Sequence, residues 1–275
     1  ESLFVVGEQN GRTFYQKIPS LSENSEQEQS DEKTIISNYK ACGITYVENN
    51  TFCVLLGYED DENEDKVGGF GLLEITIDGS NNIKTEIVYE TSAEDENKEV
   101  IPCSVLYNNG KYIVLSQNSS LEDSTISVIE KNTSDEFECS NYILNSFSLN
   151  KMKIYSIKET PITPNDNSTS ENIPVEYLFL SGSYVDEISG RDIATFGKIS
   201  IDDINSLSEY IDTSNFKMFT GSNNSLNSNF YDFVVDKKGN IILGGFSCGD
   251  YNYTNRENAL STEATENAVP FVVSY

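Results

Sequence analysis

Apolar residues in this chain gather in short runs that end on a small residue, and the runs recur. Leu3-Phe-Val-Val-Gly7, Cys53-Val-Leu-Leu-Gly57, Ile113-Val-Leu-Ser116, Leu178-Phe-Leu-Ser181 and Ile241-Ile-Leu-Gly244 line up on their last residue, with spacings of 50, 59, 65 and 63. Runs this short and this continuous predict strands covered on both faces. We label this strand B. A more evenly alternating run follows each one: Thr13–Ile18, Phe70–Ile77, Thr125–Ile129, Thr195–Ile199 and Phe271–Tyr275, labelled C. Lys33–Ile36, Ile83–Tyr89, Phe137–Leu144 and Leu207–Ile211 alternate polar and apolar, as half-exposed outer strands D. Ile44–Val47, Val105–Tyr107, Ile154–Ile157 and Phe230–Val235 precede the later B runs as strands A. Helical periodicity is confined to one short candidate, Ile201–Tyr210.

The order is therefore BCD, ABCD, ABCD, ABCD, ABC. Four-stranded antiparallel units at this period cannot bury both faces alone, so they predict stacked neighbours and an all-β fold. The expected architecture is a β-propeller of about five blades in a single domain, with units at about 1–40, 41–99, 100–149, 150–217 and 228–275. Part of a larger ring, or a β-sandwich with the same meander, are the alternatives. The first unit lacks A and the last lacks D. An open ring would leave bare strand edges, which folded proteins avoid.

The clearest unit is Phe230–Phe246, two β-rich runs flanking Asp236-Lys-Lys-Gly239, a chain-reversing composition. Its Asp-Lys-Lys-Gly-Asn-Ile-Ile-Leu-Gly-Gly, followed by Pro-Phe-Val-Val-Ser-Tyr, resembles the bacterial β-propeller repeat families. Those families carry D-x-x-G-N-I/V-hydrophobic-G and then F-hydrophobic-x-K/R-Y. The resemblance is close over 230–275; the other units keep the hydrophobicity and lose the Asp-Gly-Asn turn. It implies a propeller and carries no activity.

Composition removes several functions. The net charge of −27 opposes a nucleic-acid backbone and an anionic membrane surface. With no apolar run of 18 residues, no transmembrane helix is expected. The chain has no histidine, which excludes Ser-His-Asp and Cys-His catalysis, His-ligated metals and His pH switching within it. It has no tryptophan either, so sugar stacking would rest on tyrosine. Cys42, Cys53, Cys103, Cys139 and Cys248 form no CxxC pair, and their number is odd. They are expected as small buried hydrophobes, with one or two disulfides as the alternative. The chain begins at Glu1, which is compatible with a removed leader. That start and the acidic surface favour an extracellular or cell-surface location; the unpaired cysteines pull the other way.

In a meander the B–C and D–A loops share one end and the A–B and C–D loops the other. Long loops are expected at 58–69, 182–193 and 247–269 (B–C) and at 91–101 and 212–229 (D–A). Two more, 19–32 and 158–174, belong to the opposite end. The B–C/D–A side is thus the expected binding face. It carries two acidic runs, Glu59–Asp65 and Glu94–Glu99. They would suit Ca²⁺ or a cationic partner, but the D-x-D-x-D-G spacing is absent and solvated loops are the plainer expectation. Among so many carboxylates no catalytic pair stands out. Val67–Gly71 and Gly244–Gly245 lack the lysine and helix of a phosphate loop and read as close-packed strand positions. Tyr251 and Tyr253 are expected to anchor their loop, with ligand stacking as the alternative. No catalytic, cofactor-binding or metal-binding residue is singled out. The expected function is a non-enzymatic binding or surface-scaffold module. Its partner is a protein, a glycan or further copies of the chain. A carboxylate-dependent hydrolase or lyase and a structural subunit of an extracellular assembly are the alternatives.

Overall fold

A computed structural model describes residues 3–18, 33–58, 68–80, 82–91, 100–118, 120–159, 173–188, 190–206, 214, 216–219, 227–236, 240–247 and 269–274. Among the described residues the chain is all-β, with five antiparallel sheets of three or four strands and one short helix. The first sheet holds β1 (Leu3–Gln9), β2 (Arg12–Ile18) and β3 (Thr34–Ser37). The second holds β4 (Lys40–Glu48), β5 (Thr51–Tyr58), β6 (Gly69–Ile77) and β7 (Ile83–Glu90). The third holds β8 (Val100–Asn108), β9 (Lys111–Asn118), β10 (Ser124–Lys131) and β11 (Phe137–Leu144). The fourth holds β12 (Phe147–Glu159), β13 (Ile173–Asp186), β14 (Arg191–Ser200) and β15 (Lys217–Met218), with α1 (Ile201–Ser206) after β14. The fifth holds β16 (Ser228–Val235), β17 (Ile241–Ser247) and β18 (Val269–Ser274). Each sheet follows chain order, so the series BCD, ABCD, ABCD, ABCD, ABC is observed directly.

The continuous apolar runs are buried from both sides, and alternation explains how. In β5, Cys53 and Leu55 join Phe70 and Leu72 against Val105, Tyr112, Val114 and Ile129 of the third sheet. Val54, Leu56 and Tyr58, one residue out of phase, join Leu73 and Ile75 on the other face, against Val6 and Ile36 of the first sheet. Each fully buried Leu or Val there contributes about 1.5–3 kcal/mol of hydrophobic stabilisation. The chain clusters into two compact units, 1–114 with 128–140 and 115–127 with 141–275, the division running through the third sheet. In the second unit the fourth and fifth sheets meet through Phe179, Ala194, Phe196, Phe230, Phe233 and Leu243. On the opposite face of the fifth sheet Tyr231, Val234, Ile242 and Val272 are exposed.

One expectation on strand extent needs correction, and another falls outside the described residues. The stretch 182–193 is not a loop: β13 continues to Asp186 and β14 begins at Arg191, with those two residues paired. The apolar run marks where the strand is most buried, whereas Ser183-Tyr-Val-Asp186 carries the ladder on with a mixed, polar-ended stretch. The fourth sheet's outer strand, expected at 207–211, is supplied by β15 through Thr195 and Phe196. Residues 207–211 themselves lie outside the described residues. The physical reason is Phe216. Its ring fills the space left by Gly197, where a Cβ would stand 2.3 Å from the ring, and so seats the neighbouring Lys217–Met218. The helical expectation at 201–210 holds for Ile201–Ser206, whose Ile201 and Ile204 are buried.

Cys42, Cys53, Cys103 and Cys139 are thiols, and Cys248 lies outside the described residues. Cys53 is fully buried, as expected of a small hydrophobe; Cys42, Cys103 and Cys139 are half-buried. Burial first, then the charge of Glu74, pushes the Cys53 thiol far above its ordinary value, so it is chemically inert.

Candidate functional site

The two ends of each meander are built differently. At the A–B and C–D end the turns satisfy themselves. Asn49 and Asn50 (φ 47° and 60°) and Asn109 and Gly110 (φ 50° and 83°) form left-handed two-residue turns, which Asn and Gly adopt most readily. A five-residue closure recurs three times. Asp78, Asn132 and Asp236 each donate their N–H to the carbonyl four residues on and accept that residue's N–H on a side-chain oxygen. Asn82 and Asn240 also donate their side-chain amides to the facing Asp carboxylates, at 2.9 and 2.8 Å. The Asp-Gly-Asn turn read only in the last unit therefore has a C–D counterpart in Asp78–Asn82. These turns leave few donors or acceptors over for a ligand.

At the B–C and D–A end of the second unit a row of side chains reaches between sheets; in the first unit Tyr112, beside the A–B turn, donates across to Glu74. In the second unit Gln117, at the end of β9, is buried and shares its amide protons among Ser148 Oγ (3.1 Å), the Leu149 carbonyl (2.9 Å) and Asn150 Oδ1 (3.1 Å). Asn150 passes the pattern on: its amide donates to Asn229 Oδ1 (2.6 Å) and to the Phe230 carbonyl (3.0 Å). Asn229 donates to Ser183 Oγ at 3.3 Å, and the Ser183 hydroxyl bonds Asp192. The row runs Gln117, Ser148, Asn150, Asn229, Ser183, Asp192, all neutral amides and hydroxyls until the last.

Bulges and glycines set this row up. β12 carries a bulge at Asn150 and β16 one at Tyr231, each opposite a glycine-bearing stretch of the neighbouring B strand. A bulge leaves one carbonyl turned out of the ladder and re-aims the extra side chain. The Leu149 and Phe230 carbonyls occupy matching positions, and each is taken up by an amide from the preceding sheet. β4 has a similar bulge at Cys42, where a Cβ on Gly57 would lie 2.9 Å from the Cys42 sulfur. The close-packing expectation holds at Gly69, Gly71 and Gly245 but not at Gly244, whose nearest atom to a Cβ is the Asp232 carbonyl oxygen at 3.9 Å, and Val67 lies outside the described residues. A Cβ on Gly69, Gly71 or Gly245 would meet another atom at 2.4, 2.0 or 2.0 Å.

Asp192 is the one carboxyl raised above its ordinary value among the described residues. Burial is the cause, opposed by the Ser183 hydrogen bond. A carboxyl raised by folding stabilises the protein fully below its unfolded value near 3.8, and the benefit is lost as pH rises through the higher folded value. Asp192→Asn is accordingly expected to stabilise the protein at pH 7 and to do nothing at pH 3. Urea midpoints at the two pH values check this, and equal effects at both would contradict it.

In the first unit the β1–β2 turn, also of the B–C class, borders a hollow of about 460 Å³ lined by Gln9, Asn10, Arg12, Phe14, Lys33 and Ile35. None of these residues, nor those of the Gln117–Asp192 row, was singled out in the sequence as a site residue, although Ser183, Asp192 and Asn229 fall within the 182–193 and 212–229 stretches assigned to the expected binding face. The available signal was local: polar Gln117, Ser181 and Ser183 extend B runs that end elsewhere on glycine. The acidic runs 59–65 and 94–99 and Tyr251 and Tyr253 lie outside the described residues. Among the described residues no group of three Cys, Asp or Glu stands close enough to hold a metal ion, and no helix is long and apolar enough to cross a membrane.

No family model matches the chain, and neither a curated protein nor a solved structure does.

Proposed function

We propose that the five sheets are the blades of a β-propeller-like scaffold and that the chain is a non-enzymatic binding module. Its partner, a glycan or a protein, meets the B–C/D–A end. The propeller reading is supported by the stacking of the first sheet on the second, the second on the third and the fourth on the fifth, and by the exposed apolar face that the fifth sheet leaves for another layer. The binding reading rests on the contrast between the ends. Closed turns fill one, whereas the other, which also has closed turns at Asn10–Gly11 and Asn118–Asp123, adds rows of Asn, Gln and Ser side chains and the hollow.

Neutral amides and hydroxyls are what a polyhydroxylated ligand pairs with best, so a glycan is the favoured partner. A hydrolytic site would call for two or three carboxylates with separated proton affinities. Asp192 instead has Ser183 and Asn227 beside it, the latter accepting the Asp192 N–H at 3.2 Å. The test is a glycan array probed with the labelled full-length chain. Retention on a small, chemically related set of glycans is expected. Turnover of those glycans, read as reducing ends released, would favour the hydrolase or lyase reading instead.

A further inference from the structure

This chain has 45 acidic and 18 basic side chains, so a cation can find a carboxylate almost anywhere. Lys84, Lys111, Lys131 and Lys153 do so, pairing with Glu86, Glu130, Asp135 and Asp232 at 2.7–2.9 Å. The two cations of the first sheet's hollow do not. Arg12 is exposed and has no carboxylate partner among the described residues. Lys33 donates to a neutral amide, Gln9 Oε1, at 3.0 Å and lies over the Phe14 ring, 4.5 Å from its centre. The nearest acidic residue in β1, Glu8, is already committed, its carboxylate accepting the Gly11 N–H at 2.9 Å. By strand alternation Glu8 also points to the opposite face from Gln9, Arg12 and Phe14. Two positive groups thus share one cavity without a counter-charge among the described residues.

We propose that this hollow binds a carboxylate-bearing sugar, a uronic-acid residue, with the carboxylate held between Arg12 and Lys33. The guanidinium offers two parallel N–H groups to the carboxylate, and the ammonium adds a third donor. Gln9 and Phe14 hold Lys33 in place before the ligand arrives. Ile35, half exposed, and Phe14 give an apolar floor for one face of the ring, and Asn10 stands at the rim for a hydroxyl. A cavity of about 460 Å³ falls in the range that small-molecule sites occupy. Among the described residues the B–C turns of the third and fourth sheets are closed: Asn118 caps 118–123 with its own side chain, and Asp186 pairs with Arg191 across the next. The net charge of −27 repels anions at long range but is screened beyond about 8 Å at physiological salt. The site therefore suits a single carboxylate rather than a densely charged polymer. This assignment rests on the reading of the B–C/D–A end as the binding face and names a ligand class for it.

The experiment is a ¹H–¹⁵N titration of the full chain with glucuronate, glucose and a Glu-containing tripeptide in parallel. Glucuronate is expected to shift amides at 9–14 and 33–35, with glucose silent. Arg12→Gln and Lys33→Gln should each weaken the shift about tenfold, the loss expected for one charge-assisted contact. An unchanged spectrum elsewhere establishes that these variants fold. Equal response to glucose, shifts confined to other residues, or full binding by Arg12→Gln would overturn the proposal. Stronger binding of the tripeptide would overturn it in favour of a protein carboxylate. If glucuronate fails while neutral glycans still bind on the array, this inference falls and the binding module stands; if no glycan binds in either assay, both fall.

Discussion

Phe233→Ala is expected to lower the stability of the second unit by about 3–5 kcal/mol, the range for emptying an aromatic site in a tight core. Phe233 is 2% exposed and stands at the centre of an aromatic cluster. Its ring lies 5.1 Å from Phe196, 6.4 Å from Phe179 and 6.3 Å from Tyr155. These rings come from the fourth sheet, so the cavity would open between two sheets that touch mainly through them. A second contribution is electrostatic. Lys153 lies over the Phe233 ring, donates to the Phe233 carbonyl and bonds Asp232 at 2.7 Å. Burial works to raise Asp232, but the Lys153 bond, the Phe233 N–H and the nearby Lys151 outweigh it and hold the carboxyl below its usual range. Alanine removes the ring that positions this lysine. Natural domains hold about 5–15 kcal/mol in all, so the loss would be a large share. A urea titration followed by circular dichroism should give a lower midpoint. A change under about 1 kcal/mol would mean that the two sheets do not depend on this contact.

Gly182→Ala should be nearly as damaging, by about 3 kcal/mol, although it adds one methyl group. A Cβ there would stand 2.2 Å from the Ser148 carbonyl oxygen and 2.5 Å from the Leu149 Cα, backbone atoms that cannot swing aside. The strand β12 would have to lift away, and with it the Leu149 carbonyl that Gln117 binds. Gly245→Ala repeats the experiment in the fifth sheet, at 2.0 Å from the Asn229 carbonyl oxygen. Its neighbour supplies the control. A Cβ on Gly244 would meet nothing closer than the Asp232 carbonyl oxygen at 3.9 Å, so Gly244→Ala should be neutral or stabilising by about 0.5 kcal/mol. Thermal melts of the three variants decide the matter. Equal effects at Gly244 and Gly245 would remove the steric explanation for the close approach of the A and B strands.

The scaffold was readable because burial on both faces writes itself directly into the sequence. Cys53-Val-Leu-Leu is continuous because odd and even residues each meet a different neighbouring sheet, whereas Ile83–Glu90 is largely polar because Lys84–Ile87 at its middle is exposed. The same signal fell short wherever strands continue with polar residues. Ser183–Asp186 pair as well as Leu178–Ser181, yet only the latter contain three consecutive apolar residues, Leu178-Phe-Leu180. Lys217–Met218 was unreadable as a strand for another reason. Its place depends on Phe216 finding the gap at Gly197, a contact between residues nineteen apart that no local pattern encodes. The polar row was hidden in the same way. Gln117, Asn150 and Asn229 are ordinary residues in sequence, and only the bulges at Asn150 and Tyr231 bring amide to carbonyl. Arg12 and Lys33, twenty-one residues apart, share a cavity only once β3 folds beside β2.

The division of labour between the two ends is best measured by amide hydrogen exchange with mass spectrometry, on the chain alone and with the strongest glycan from the array. Protection is expected over 7–14, 116–124, 182–192 and 245–247, the B–C turns and the strand ends that carry the polar row. The closed turns at 48–51, 78–82, 108–111, 132–136 and 236–240 should exchange at the same rate with and without ligand. Protection centred on those closed turns, with the B–C end unchanged, would contradict the account.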